Sequence, residues 1–568
     1  MIVQELHAVQ DRCGYLPEDE LRSLAGRLGV PLHRLHEVAS FFPHYRLKPP
    51  PRVEVKVCRD MACHLRGSPR LRRNLEALAN EIDPSQVVVG GVSCLGQCDA
   101  APYVVSVNDH VYWGFSGTQI RSRLQAATAR EPLPYQAADR SPLGWKIDPH
   151  DGRPRYDMVR RFVQNPDGDA LLRAIETAGL RGMGGAGFPT QLKWGAVRKE
   201  PGEVKYVICN ADESEPGTFK DRELLRRTPY LTLEGMILAG LVTGAAHGYL
   251  YIRHEYHEEA EVFREAVDQA RRENLLGDNV LGSGRSFTVE VYVSPGGYIQ
   301  GEESALLEAM EDRRGEPRNK PPFPVTHGLY NKPTVINNVE TLAWVPAIAL
   351  RGGEWYRDQG VNGATGLRFV SVSGDVNRPG VYEVPFGQTV RDLVFHTAGG
   401  LRDGQKLKAI APSGPSGGFL PAFLKAENLP EKFVREKLPP GAQGLDVLDL
   451  TLDLKTLGDL GSMLGAAFVA YGDRADMVDQ ALNCVEFFRN ESCGKCVPCR
   501  LGSQKLVDMV GDMRASRFPR QQLGLVNELG QAMALASICG LGQVAPNPIA
   551  SVIKHFADDL DKYLAPRR

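Results

Sequence analysis

Cys493, Cys496 and Cys499 recur at three-residue steps in the run Glu491-Ser492-Cys493-Gly494-Lys495-Cys496-Val497-Pro498-Cys499-Arg500, and Cys539 follows in Ser537-Ile538-Cys539-Gly540-Leu541-Gly542. Three thiols at that spacing can point at one centre, the neighbouring glycines let the backbone wrap it, and a distant fourth thiol closes the set. This is the ligand pattern of a [4Fe–4S] cluster. Four thiolates also hold structural zinc, but zinc sites usually come as two separated cysteine pairs, whereas here a triplet is completed by one.

A second set of thiols lies near the start of the chain. Cys58 and Cys63 form a C-x4-C pair, and Cys94 and Cys98 form a C-x3-C pair. Each pair follows a β-like run, Val53-Glu54-Val55-Lys56-Val57 and Gln86-Val87-Val88-Val89. Thiols at the ends of two strands of a small α/β domain can meet around a [2Fe–2S] rhomb, and the spacing is neither that of plant-type ferredoxins nor the C-x2-C pairs of zinc ribbons. Disulfides are the alternative. The N-terminal Met1-Ile2-Val3-Gln4-Glu5 lacks the basic and apolar regions of a secretory signal, so the expected compartment is the reducing cytoplasm, where disulfides do not persist. Of the eleven cysteines, the remaining Cys13, Cys209 and Cys484 read as packed small hydrophobes.

Between the two sets lie blocks that could hold a cofactor. The loop Gly182-Met183-Gly184-Gly185-Ala186-Gly187-Phe188 allows backbone N–H groups to approach a phosphate or a flavin ring. It is not a standard dinucleotide fingerprint, since no acidic residue ends a second strand about twenty positions on. Asn210-Ala211-Asp212-Glu213-Ser214-Glu215-Pro216-Gly217-Thr218-Phe219-Lys220-Asp221-Arg222 follows the strand ending at Cys209. Carboxylates gathered at a strand end are costly to bury unpaired; they form either a solvated, helix-capping loop or a polar platform for ribose hydroxyls and a flavin pyrimidine. Gly296-Gly297-Tyr298-Ile299-Gln300-Gly301-Glu302-Glu303-Ser304, Arg318-Asn319-Lys320-Pro321-Pro322-Phe323 and Val335-Ile336-Asn337-Asn338-Val339-Glu340-Thr341 add to the same reading.

The elements that must position these groups belong to a multidomain α/β protein. Residues 1–48 are expected to be helical, with Leu21, Leu24, Ala25 and Leu28 at helical spacing. Residues 52–125 form a small α/β domain carrying the first thiol set, and residues 126–155 a proline-rich linker or surface strap. Residues 156–350 form a large α/β domain, residues 367–450 a β-grasp-like module in which Val390 to Ala398 reads as a helix stopped by Gly399-Gly400, and residues 455–568 a helical bundle around the second thiol set. The net charge of −2 supplies no basic excess for nucleic acid. No run of eighteen apolar residues spans a membrane, and Met236 to Ile252 reads as a buried helix running into a strand.

With these motifs in place, the chain from about residue 156 resembles the NADH-oxidising flavoprotein subunit of respiratory complex I, a subunit type that also serves NAD-reducing hydrogenases and NAD-dependent formate dehydrogenases. Residues 1 to about 120 resemble its small thioredoxin-like [2Fe–2S] partner. The resemblance implies a thioredoxin-like [2Fe–2S] domain, a Rossmann-like FMN- and NADH-binding domain, a β-grasp domain of SLBB type and a C-terminal helical [4Fe–4S] bundle. It implies that Gly182, Gly184, Gly185 and Gly187 line the flavin and nucleotide and that Lys193 lies beside FMN. Asn210, Asp212 and Ser214 would bind the isoalloxazine and ribityl chain, Tyr298, Gly301 and Glu302 would complete the pocket, and Asn337 and Asn338 would lie near the phosphate. Phe188 and Phe323 would stack on the dinucleotide, Glu215 and Glu303 would accept its hydrogen bonds, and Lys320 would approach its ribose. Glu213 and Glu215 are the candidate catalytic carboxylates. Two positions depart from the pattern: Ala196 stands where many relatives have an aromatic, and Met183 where many have arginine. The implied chemistry is hydride exchange between NAD(H) and FMN, with single electrons passing through the clusters to other redox subunits. The acidic loop disfavours the additional phosphate of NADP. Fusion of the two subunit types favours a soluble formate dehydrogenase or hydrogenase over a complex I input subunit; a non-catalytic relay is the further alternative, with Ala196 for it and the intact Glu215, Lys320, Phe188 and Phe323 against it.

Overall fold

The computed structural model describes residues 2–134, 136–141, 143–150 and 152–564. The chain divides into two compact units. One comprises Met1–Pro50, Ala138–Ser214 and Lys220–Phe369, the other Pro51–Ala137, Glu215–Phe219 and Val370–Arg568.

The first unit is built on a four-stranded parallel sheet in the order Thr288–Val293, His247–Ile252, Tyr206–Ala211, Thr334–Asn338. The first three of these in the chain add outward in succession, and the last joins on the opposite side of Tyr206–Ala211. The order therefore reverses between Tyr206–Ala211 and Thr334–Asn338, and ligands of open α/β sheets bind beyond the strand ends at such a switch point. One flank carries the helix Pro229–Thr243, buried from end to end as the unbroken apolar run requires. Gly235 lets the helix Val339–Arg351 come in close, because a Cβ there would lie 2.1 Å from the Leu342 carbonyl oxygen.

The other flank is covered by the N-terminal helices Ile2–Cys13, Glu18–Leu28 and Leu32–Phe41. Their apolar stripes (Val3, Leu6, Leu21, Leu24, Leu35, Val38) share a core with Ile208, Tyr251, Tyr292 and Ile336 of the sheet. The Val3 amide donates to Asp312 at 3.0 Å, and the Tyr45 hydroxyl to the Val3 carbonyl at 2.8 Å. The helical segment thus completes the core of the parallel-sheet unit.

The second unit starts with a sheet ordered Val87–Val92, Val53–Cys58, Val104–Val107, His110–Trp113, with its first pair parallel and the rest antiparallel. The helices Ser68–Ile82 and Gly117–Ala129 pack on it through Leu71, Leu75, Ile120 and Leu124. A five-stranded sheet follows, ordered Gly380–Pro385, Leu367–Gly374, Ala467–Gly472, Leu407–Pro415, Leu420–Pro421. Ala467–Gly472 lies beyond the boundary near residue 450 expected from sequence. It pairs parallel with Leu367–Gly374 and antiparallel with Leu407–Pro415, so the module closes only when the chain returns through this fully buried strand. The expected helix at 390–398 is a wide π-helical turn, Asp392–Thr397.

The helices Met477–Glu491, Val497–Arg514, Leu523–Ala536, Gly540–Val544 and Asn547–His555 then form the C-terminal bundle. The expected linker has no regular element between Ala129 and Asp157; its Tyr135, Pro142 and Asp151 lie outside the described residues. Its two ends are strapped down, one by Tyr112 donating to the Pro134 carbonyl and the other by buried His150 paired with Glu234 at 2.8 Å.

Candidate functional site

The switch point of the parallel sheet gathers most of the predicted flavin residues. The glycine loop is cinched at its base, where the Gly182 amide donates to the Phe188 carbonyl at 2.9 Å. Its flank is tied by the Met183 amide donating to Thr341 Oγ1 at 2.8 Å. Gly185 (φ 112°) and Gly187 (φ 62°) sit where a side chain would be strained. A Cβ on Gly184 would come within 3.2 Å of Asn338 Cβ. The loop therefore presents bare backbone at the strand ends, as a flavin or phosphate requires. Phe188 (49% exposed) and Phe323 (52%) hold large apolar rings toward solvent, which folding alone does not reward.

Several predicted polar residues turn out to build the walls. Asn210 Nδ2 donates to the Gly301 carbonyl at 2.8 Å, and Asn210 Oδ1 accepts from the Asp212 amide at 3.1 Å. Asp212 accepts from Ser214 Oγ at 2.5 Å and from Ser294 Oγ at 2.8 Å; burial pushes its carboxyl up to about 6. Together these bonds tie the strand Tyr206–Ala211 to the turn Tyr298–Gly301. Glu302 caps the helix Glu303–Met310 by accepting from the Ser304 and Ala305 amides. Lys320 bridges Glu302 at 2.8 Å and Glu303 at 2.7 Å. Burial lowers the Lys320 pKa, but the two carboxylates outweigh it and leave it raised. Lys193, from the helix Thr190–Lys199, donates to the Ile336 carbonyl at 2.8 Å and lies 3.8 Å from Glu303. Desolvation wins there, and its pKa is lowered.

Asn337 and Asn338 are likewise engaged. Asn337 Oδ1 accepts from Trp194 Nε1 at 2.8 Å, both side chains being buried. Asn338 caps Val339–Arg351 and donates to Asp221 at 2.5 Å. Asp221 also takes the buried Lys220 ammonium at 2.6 Å, which reaches Glu340 at 3.0 Å.

Glu213, a candidate catalytic carboxylate by sequence, has its acceptor atoms engaged by the scaffold. It is buried beneath the site and accepts from the Asp221 amide at 2.9 Å, the Arg222 amide at 3.1 Å and the Tyr256 hydroxyl at 3.0 Å. It thereby caps the helix Lys220–Arg227. Its acceptor capacity goes to the scaffold because that helix starts seven residues later, with its first amides facing back. Burial, then the nearby Asp221 charge, raise its carboxyl to about 8. Glu215 is half-buried in the second unit, where it accepts from the Ser416 amide at 3.2 Å. Trp194, Ser294 and Ser416 are not singled out by the sequence, and Lys220 is quoted in the acidic run without a role. Only the fold reveals their partners.

The second unit holds both thiol sets. Cys58, Cys63, Cys94 and Cys98 are all buried, and the Cys94 and Cys98 sulfurs lie 3.4 Å apart. Cys58 is held protonated well above the thiol range by the adjacent Cys63 and Cys94 and then by burial. Cys98 is raised by Cys94 and burial, opposed by the Gly217 amide. Crowded, desolvated thiols of this kind give up their protons to cations placed among the sulfurs, which is what a ferric cluster supplies.

Cys493, Cys496 and Cys499 line the turn from Met477–Glu491 into Val497–Arg514. Gly494 (φ 75°) makes the bend, and Arg500 pins it by donating to the Gly494 carbonyl at 2.6 Å. The Cys539 segment packs on Cys499: a Cβ on Gly542 would lie 2.8 Å from Cys499 Cβ. Burial raises the Cys499 thiol to about 11, with Cys496 and Cys493 adding and Ser492 opposing. Cys493, Cys496 and Cys539 are only half-buried, so this set faces outward.

Comparison with known proteins agrees with this layout. The model of the thioredoxin-like [2Fe-2S] ferredoxin matches residues 1–128 and the Nuo51 FMN-binding domain residues 175–347. The SLBB domain matches residues 369–420, and the NADH-ubiquinone oxidoreductase-F iron-sulfur binding region residues 479–563. The F 2 subunit of the NADH-quinone oxidoreductase of Rhizobium meliloti (strain 1021) is 38% identical over 439 residues, covering 77% of this chain and 99% of that protein. The HndC subunit of the NADP-reducing hydrogenase of Solidesulfovibrio fructosivorans is 37% identical over 391 residues, 69% of this chain and 75% of that protein. Among solved structures, a chain of an NAD+-reducing [NiFe]-hydrogenase in the H2-reduced state superposes with a TM-score of 0.85 at 32% identity, covering 100% of this chain and 94% of that one. The cofactors are therefore FMN, a [2Fe–2S] cluster and a [4Fe–4S] cluster, and the chain belongs to the F-subunit family of the NADH-quinone oxidoreductases, which are flavin and iron–sulfur proteins.

Proposed function

We propose that this chain is the NADH-handling subunit of a larger redox complex, working on NAD rather than NADP. Bound FMN supplies two-electron hydride chemistry on one side and one-electron transfer on the other. The residues supply the rest. The backbone of Gly182–Gly187, with Lys193 behind it, holds the flavin at the strand ends. Phe188 and Phe323 offer apolar faces for a dinucleotide, and Glu303 and Lys320 receive its polar groups; Glu215 is a further candidate acceptor by the resemblance alone. Cys493, Cys496, Cys499 and Cys539 hold the four-iron exit toward a partner, and Cys58, Cys63, Cys94 and Cys98 hold the two-iron centre. The observation that carries the reading is the bare glycine loop at the switch point, flanked by two exposed phenylalanines and a carboxylate–lysine pair.

The partner is proposed to be a hydrogenase or formate dehydrogenase in the cytoplasm. The match to the hydrogenase chain covers the whole of this chain and 94% of that one, whereas the Rhizobium relative leaves about a quarter of this chain uncovered. No helix among the described residues is long and apolar enough to cross a membrane.

The visible spectrum of the anaerobically purified chain before and after NADH tests the reading. Bleaching with one FMN and about six irons, the sum of one four-iron and one two-iron cluster, is expected. Flavin and iron that NADH leaves unbleached would overturn it. Ala196, half-buried in the helix Thr190–Lys199, would then be the first position to restore to an aromatic.

A further inference from the structure

One helix of the C-terminal bundle grips the loops that carry the two-iron ligands. Asn483, 5% exposed on Met477–Glu491, accepts from the Met61 amide through Oδ1 at 2.8 Å and donates through Nδ2 to the Arg59 carbonyl at 2.8 Å. A side-chain amide here stands in for a peptide group, offering a donor and an acceptor at the spacing the loop backbone needs. The loop needs holding, because Met61 is in the left-handed region at φ 42°, uncommon for a residue with a side chain. The Met61 sulfur is also anchored, at 3.1 Å from Cys484 Sγ and 3.7 Å from the Tyr471 hydroxyl.

The same face of the helix makes two further contacts. Asp479 pairs with His64 at 2.8 Å, immediately after Cys63, and Glu491 accepts from Ser93, immediately before Cys94. Asp479, Asn483 and Glu491 are spaced at multiples of four residues and so form one ridge. Two residues past its end the chain reaches Cys493.

We propose that Asn483 is a positioning residue for the [2Fe–2S] centre. From the four-iron region it fixes the Arg59–Met61 backbone between two ligands and so sets the potential of the two-iron cluster. Cluster potentials follow the hydrogen bonds and exposure around the sulfurs, and a loop free to leave φ 42° would redistribute both. The proposal rests on Cys58, Cys63, Cys94 and Cys98 being the ligands.

The test uses the full chain purified anaerobically, with Asn483→Ala and Asn483→Asp. Readouts are the [2Fe–2S] g-values and midpoint potential, and amide hydrogen exchange over residues 59–64. Asn483→Ala should shift the g-values and potential and speed exchange at Met61 about five-fold, as loss of a hydrogen bond of about 1 kcal/mol implies. The four-iron signal and FMN content should stay as in the parent. Asn483→Asp keeps the acceptor for the Met61 amide and should give a smaller shift with slow exchange; it decides the matter if Asn483→Ala fails to retain iron. Parent-like g-values and potential in both variants, with iron retained, would overturn the proposal. Cys58→Ala, which supplies no donor atom, separates the premise, since a parent-like two-iron signal there would remove the ligand assignment itself.

Discussion

The flavin site and the iron sites solve the same problem, holding a cofactor, in opposite ways. In the second unit the conspicuous residues are the donors themselves: eight thiols in two sets, with Cys58 and Cys98 raised by neighbouring thiols and burial, and Cys499 by burial and neighbouring thiols. In the first unit most conspicuous polar side chains are already spent on one another. Asn210 holds Gly301, Asp212 holds two serines, Glu302 caps a helix and Asn337 holds Trp194. Beside them stand the bare backbone of the glycine loop, the exposed rings of Phe188 and Phe323 and the Glu303–Lys320 pair. A thiol change at an iron site should therefore act directly and completely, and a change at the flavin site indirectly and by degrees.

The largest expected effect follows from the direct case. Cys496 caps the helix Val497–Arg514 and is half-buried. Cys496→Ala should abolish the four-iron signal and reduce electron delivery to partner subunits to background, while NADH still bleaches FMN. Partner reduction at the parent rate would show that electrons leave by another route. Such a result would erase the contrast between the two sites.

An intermediate effect is expected at Glu215, which stands between the two cases. Its carboxylate is steadied by the loop of the five-stranded sheet module. Gly414 sits at φ 53°, and a Cβ there would lie 2.7 Å from the Pro216 carbonyl and 3.2 Å from the Glu215 carboxylate oxygen. Glu215→Ala should raise the KM for NADH about ten-fold, in line with roughly 1.5–3 kcal/mol for a hydrogen bond to a charged group, and should narrow the preference for NADH over NADPH. Gly414→Ala should move KM in the same direction by less, with flavin and iron content intact. Unchanged KM in Glu215→Ala would remove this residue from nucleotide handling. A change in Glu215→Ala alone would remove only the loop's share.

The contrast also explains what the sequence discloses. Thiol spacing is local, so Cys493, Cys496 and Cys499 announce a cluster without any knowledge of the fold. The glycine loop and the acidic run are legible for the same reason. The roles within the flavin site are less so, because Glu213, Glu215 and Asp212 look alike in the chain, and only the direction of the next helix decides which is consumed. Glu213 reads like its neighbours in the chain, and only the structure shows the amides of Asp221 and Arg222 pointing at it. Long-range partners leave no local trace. Asn483 is an ordinary helical residue until Met61, 422 positions away, is found against it. The strand Ala467–Gly472 reads as part of the helical end of the chain because its pairing partners, Leu367–Gly374 and Leu407–Pro415, precede it by a wide interval.

The smallest predicted effect tests Glu213 as scaffold. In the unfolded chain its carboxyl ionises near 4.5, and in the folded protein it is pushed up to about 8. Between those values the folded state holds a proton that the unfolded state has shed. Stability present in full below about pH 4.5 is therefore lost as the pH rises toward 8. One group gives at most about 1.4 kcal/mol per pH unit, and the neighbouring Lys220 reduces it. Thermal unfolding of the holoprotein should accordingly fall between about pH 6 and about pH 8. Glu213→Gln carries no proton to lose and should flatten that fall, although its midpoint at the acid end of that window should be lower because one of the two helix amides loses its acceptor. Its KM for NADH should stay near the parent value, since the acceptor atoms of Glu213 are engaged by the Asp221 and Arg222 amides and the Tyr256 hydroxyl. A large rise in KM with an unaltered pH slope would return Glu213 to the catalytic side, and the flavin site would then share the direct character of the iron sites.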